Sequence, residues 1–184
     1  MKSVFLPVAA ALVLFAPAAK AQSASDTRDF SVVGNVPAIC AGGAVTTAGG
    51  IFDLGVLVDT ATGFLRTDLS APAQLIQGSF CSSRSNIAVV ASPIVAQGFT
   101  GTPPTGFSRS VDYVASASGW TTSPAVFATA SATNADAVQD CETPFSGPIT
   151  VSIAGFATTG GSALRMVADT SYQGTITVTL TPEN

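Results

Sequence analysis

An all-β sandwich is the fold this sequence predicts, and three observations carry that expectation. Short segments rich in Val, Ile, Leu and Phe recur from Phe30 to the C-terminus, each bounded by Gly, Pro or Asp, which is the pattern of strands separated by turns. The last of them, Tyr172-Gln-Gly-Thr-Ile-Thr-Val-Thr-Leu-Thr181, alternates strictly. Ile176, Val178 and Leu180 fall on one face, and Thr175, Thr177, Thr179 and Thr181 on the other. No stretch carries a convincing helical period. Ala125 to Ala137 is rich in alanine, a good helix former, yet Thr and Ser recur through it without a cap or an amphipathic stripe, so it reads as strand and loop. About eight short strands with turns between them and no strong helix make a sandwich.

The chain opens on Lys2, an apolar run from Val4 to Ala16, and Ala19-Lys20-Ala21. These are the charged, apolar and small-x-small regions of a secretory signal cleaved before Gln22. The run is shorter than the roughly 20 apolar residues that span a bilayer, so stable membrane insertion is not expected. No cysteine follows the cleavage site to carry a lipid. The expected organisation is a signal peptide over 1–21, a small polar segment over 22–29 that is flexible in an isolated monomer, and one β-sandwich domain over 30–184.

From Phe30 the alternation Phe30, Val32, Gly34, Val36 predicts a first strand, which Pro37 confines to a sheet edge or breaks just before Cys40. Ala41 to Gly50 is a Gly/Ala/Thr loop without the Gly-Lys-Ser/Thr ending of a phosphate cradle. Ile51 to Val58 reads as the next strand and Asp59 to Ser70 as a surface connection. Ala73 to Phe80 and Asn86 to Ser92 follow as strands, the second so apolar that burial on both faces is expected. Gln97 to Gly106, with three glycines and two prolines, is a long loop within one domain. Val111 to Ala117 alternates around Tyr113 and leads to Trp120, which reads first as a core residue and second as a platform for a sugar. Ile149 to Ile153 is a strand closed by Gly155, and Ala163 to Val167 a further short one.

Absences shape the chemistry. The sequence has no histidine, which removes the usual general base and the commonest neutral metal ligand. Lys2 and Lys20 leave with the signal, so a Ser-Lys pair is excluded as well, and no Gly-x-Ser-x-Gly elbow is present. Asp53, Asp59, Asp68, Asp112, Asp136, Asp140, Glu142 and Asp169 sit mostly at turn-like positions, where Asp serves the backbone. Neither catalysis nor a cofactor is expected. Eleven acidic residues against arginines alone give an acidic mature chain, which argues against nucleic acid or an anionic membrane as partner.

Three cysteines without histidine make no recognised zinc spacing, and three pairings among Cys40, Cys81 and Cys141 are open. Cys40 with Cys81 is preferred, since both sit near strand ends, and the loop closed is long enough for a bridge to contribute roughly 4 kcal/mol. Cys141 is then an unpaired thiol, buried and inert or exposed and able to cross-link.

Val36-Pro-Ala-Ile-Cys40, Phe52-Asp-Leu-Gly55, Gly78-Ser-Phe-Cys81, Tyr113 with Trp120, and the closing Tyr172-to-Leu180 strand occur in that order. Together they resemble the spore coat protein U domain family and its relatives among chaperone-usher pilins. The resemblance implies an immunoglobulin-like, pilin-type sandwich that lacks its last strand, with Cys40 and Cys81 as the family disulfide. It further implies a subunit of a surface fimbria, pilus or coat, in which Phe30, Val32, Gly34 and Val36 belong to a donor strand and Ile176, Val178 and Leu180 border the acceptor groove. Partners would be copies of itself or related subunits, a periplasmic chaperone and an outer-membrane usher, with passage through the periplasm to the cell surface. The competing expectation is a complete, monomeric sandwich acting as an adhesin or carbohydrate-binding module, with Trp120 and the threonine face of the last strand as contacts.

Overall fold

Where Val, Ile and Ala recur at every second position, the chain pairs into ladders. The computed structural model describes residues 27–46 and 48–183. The signal peptide expected over 1–21 and the segment 22–26 lie outside the described residues. Strands β1 (Cys40–Ala41), β2 (Ala44–Val45), β3 (Gln74–Cys81), β4 (Ser85–Ala91), β5 (Ile94–Ala96), β6 (Phe107–Ser108) and β7 (Ser110–Ser118) are followed by β8 (Ala125–Ala128), β9 (Val138–Cys141), β10 (Phe145–Thr158), β11 (Arg165–Met166), β12 (Tyr172–Gln173) and β13 (Ile176–Pro182). The helical content described is two single 3₁₀ turns, Ala48–Gly50 and Ala135–Ala137. The fold is all-β.

One sheet runs β1–β3–β10–β7–β5–β12, with β2 also on β3 and β8 also on β7; the other runs β13–β4–β9, and a parallel pair joins β6 to β11. The two main sheets form a half-barrel whose inner faces make the core. Ile87 and Val89 come from β4, Tyr113, Ala115 and Ala117 from β7, and Ile149 and Val151 from β10, all buried. Each fully buried Val or Ile among them contributes about 1.5–3 kcal/mol. Trp120 belongs to this core. It is 2% exposed, packs edge-on against Phe145 at 5.0 Å, and its indole N–H donates to Ser85 Oγ at 3.2 Å.

The sheets are joined along one side by a bent strand pair. β13 lies against β4 with Ile176 opposite Ala91, and β12 lies against β5 with Tyr172 opposite Ala96, so the same two stretches of chain serve both sheets. At the bend, Ser92 N donates to Thr175 O at 2.9 Å and Thr175 N donates to Ser92 Oγ at 2.9 Å. Gly174 permits the crossing: a Cβ there would sit 2.9 Å from Ser92 O and 3.0 Å from Pro93 O. Cys40 and Cys81 face each other across β1 and β3 and form a disulfide that spans 41 residues of sequence.

Several local expectations are corrected. No strand forms over Phe30 to Val36, where Phe30, Val32, Gly34 and Val36 are exposed and unassigned. None forms over Ile51 to Leu57, and Val58 makes only an isolated bridge to Leu65. In β4, Ile87 and Val89 are buried but Val90 is 58% exposed, so the strand has one apolar face inward and one outward. β10 does not stop at Gly155. That residue takes a positive φ of 64° within a bulge between Ala154 and Ala157, and the ladder to β7 resumes beyond it. Asp112 is not at a turn but within β7, buried, where it accepts hydrogen bonds from Thr129 Oγ1 at 3.0 Å and Thr159 Oγ1 at 2.6 Å. Residues 36–184 form one compact unit.

Candidate functional site: an open groove beside the last strand

A sheet that curls without closing leaves one pair of edges apart. Here β13 ends its sheet, and among the described residues no strand pairs with its outer side. The strands β2 and β3 border the other edge. Between them lies a groove of about 1250 Å³. Its floor is apolar, made by Ile94 of β5, Tyr113 of β7, and Val151 and Ile153 of β10; Gln74 and Ile76 of β3 form one wall, and the run from Val167 to Val178 forms the other. The stretch Gly50–Val58 lines it as well.

Polar side chains are spread through the lining, and Tyr113, Tyr172 and Asp169 among them are engaged. Tyr113 donates its hydroxyl to Thr175 O at 3.2 Å, and burial pushes its pKa up to about 12. Tyr172 donates to Val167 O at 2.7 Å; burial, with the Asp169 charge, raises its pKa. Asp169 accepts main-chain N–H bonds from Ser171 at 2.9 Å and from Phe99 and Gly98 at 2.8 Å each, which hold its carboxyl below the ordinary carboxylate range. The exception is Gln74. Its carboxamide is buried, 4% exposed, and its Nε2 donates to Ile51 O at 3.1 Å and Pro72 O at 3.3 Å, whereas its Oε1 accepts nothing. A buried carbonyl oxygen left without a donor costs about 1–3 kcal/mol.

Of the residues picked out from sequence, Ile176 and Val178 line the groove, and Leu180 is half-buried against the core farther along the same strand. Trp120 lies in the core, away from the surface. Cys141 ends β9, half-buried, with its thiol donating to Thr143 O at 3.4 Å. Phe30, Val32 and Val33 are exposed large apolar side chains, and so is Val36. Sequence reasoning missed Gln74, Tyr113 as a groove residue, and the part played by Ile51 to Val58. A glutamine opening the apolar run Leu75-Ile76 was the one available signal for the first.

Among the described residues no group of three or more His, Cys, Asp or Glu could hold a metal ion, and no helix is long and apolar enough to cross a membrane. A second depression of about 660 Å³, between Val56 and Asp68, has its charges paired internally, Arg66 to Asp68 at 2.7 Å. The larger groove offers an apolar trough, a free strand edge and one unsatisfied main-chain-like acceptor. Those are the features that receive an extended peptide. Comparison with protein-family models, curated proteins and solved structures finds no match to this chain.

Proposed function

We propose that this protein is a non-catalytic structural subunit of a bacterial surface fimbria, pilus or coat, exported through the periplasm and joined to its neighbours by strand addition. It would be of the spore coat protein U or chaperone-usher pilin kind, with an immunoglobulin-like sandwich that is one strand short. The observation that carries this reading is the groove beside the free edge of β13, with Ile176 and Val178 on its wall. A strand laid there from another copy gains main-chain hydrogen bonds along β13 and buries alternate apolar side chains over Tyr113, Val151 and Ile153. Phe30, Val32 and Val36, all exposed, have the alternation such a strand needs. Contacts of this head-to-tail kind do not close on themselves and so build filaments. Chaperone and usher would shield and sort the open subunit before assembly.

The test is the urea midpoint of a chain beginning at Val36, with and without a peptide spanning Gln22 to Pro37 and with a scrambled peptide as control. A sequence-specific rise in the midpoint supports the reading, since a ligand that binds only the native state stabilises it by mass action. An unchanged midpoint in a stable monomer would favour the binding-module alternative.

A further inference from the structure

We propose that Ile51–Val58 is an internal plug of the groove, latched by Gln74 and displaced when residues 30–36 of a second copy dock beside β13. The inference rests on the strand-addition reading and adds its regulation.

The segment has the composition of a strand and lines the groove, yet it forms no ladder among the described residues. Its course explains why. Gly55 has a φ of 62°, and its N–H is taken by Asp53 Oδ1 at 2.9 Å, a side-chain turn that breaks any continuous extended run. Phe52, Leu54 and Leu57 pack half-buried against the core, whereas Ile51 and Val56 point to solvent. The segment thus covers apolar surface without closing the sheet, as a provisional cover would.

Its two ends are held differently. Near Val58 it is anchored by the main chain: Arg66 N donates to Leu57 O at 3.0 Å, and Asp59 N to Phe64 O at 2.9 Å. At Ile51 the tie is the Gln74 carboxamide, and the nearest main-chain anchor lies upstream, where Thr46 N donates to Leu75 O at 2.9 Å. Released from Gln74, the segment can bow outward between that anchor and the hairpin. Gln74 Oε1 is buried and without a donor. A carboxamide presents two N–H donors and a carbonyl acceptor; Ile51 O in the plug takes one N–H, Pro72 O takes the other, and the carbonyl oxygen is left over. An arriving strand offers both a C=O and an N–H, so it can satisfy the whole group. The occupant is a second copy's 30–36, because Phe30, Val32 and Val36 are 86%, 97% and 80% exposed on this chain and alternate at the strand period.

The experiment is hydrogen exchange on the full chain, alone and with a peptide of residues 22–37, for the wild type, Leu54→Ser and Gln74→Leu. The expected result is protection of amides 176–180 on peptide addition together with faster exchange over 51–56. Leu54→Ser, with a weakened plug, should bind the peptide about ten-fold faster. Gln74→Leu should speed exchange over 51–56 before any peptide is added. If Leu54→Ser alters exchange in β7 and β10, and so disturbs the fold, Asp53→Ala replaces it. Peptide protection of 176–180 with 51–56 unchanged, and equal association rates, would overturn the plug and leave strand addition standing. Binding to the weakened variant alone would support the plug. No protection in any variant would overturn both.

Discussion

The hydroxyl of Tyr113 donates to the main-chain carbonyl of Thr175 at 3.2 Å, linking β7 in one sheet to the residue just before β13 in the other. Unfolded, a tyrosine ionises near 10. Buried here it is held up to about 12, so the native state favours the neutral phenol. Its contribution is complete below pH 10 and is lost as the pH rises towards about 12. We expect the wild-type urea midpoint to fall across that window and Tyr113→Phe to fall less steeply, with Tyr172 supplying part of the remaining slope. At neutral pH the variant should lose about 1 kcal/mol with the hydrogen bond.

The disulfide gives a second outcome. Replacing both Cys40 and Cys81 by Ser frees a 41-residue loop. Urea unfolding should show a loss of roughly 4 kcal/mol. A loss under about 1 kcal/mol would mean that the neighbouring ladders already confine that loop.

Gly174 is the third. Gly174→Ala places a methyl group 2.9–3.0 Å from the carbonyl oxygens of Ser92 and Pro93, which are backbone and cannot rotate away. A destabilisation of about 1–3 kcal/mol is expected by thermal or urea unfolding.

Trp120, the single tryptophan, provides a fourth. Its emission should be blue-shifted and poorly quenched by acrylamide in the folded protein, and it should not respond to added oligosaccharides. Trp120→Ala should cost about 3–5 kcal/mol. Efficient quenching in the folded state would place the indole at the surface and revive its role as a sugar platform.

The elements that alternate cleanly were legible. β13, with Ile176, Val178 and Leu180 inward, and β7, around Tyr113, follow from period two alone. Ile51 to Val58 looked the same in composition but forms no ladder, because Asp53 and Gly55 turn the chain. Gly155 looked like a strand end and is a bulge, since a glycine in the left-handed region can also absorb an extra residue without ending the ladder. The groove could not be read locally at all. It exists because β13 and β3 stay apart, a property of pairing across the whole chain that no single segment encodes.

The bent pair of β4–β5 with β12–β13 also sets a timetable. Its partners lie far apart in sequence; the Asn86 side chain, for instance, donates to Glu183 across 97 residues. Such a ladder has to wait for β13, and topologies dominated by distant pairings fold slowly, in milliseconds to seconds. During that wait the inward row of Ile87 and Val89 has no β13 beside it and stands open to aggregation. β13 thus decides when the earlier β4 becomes safe, and substitutions that weaken Ile176–Pro182 should cost more in yield than in the stability of the molecules that do fold.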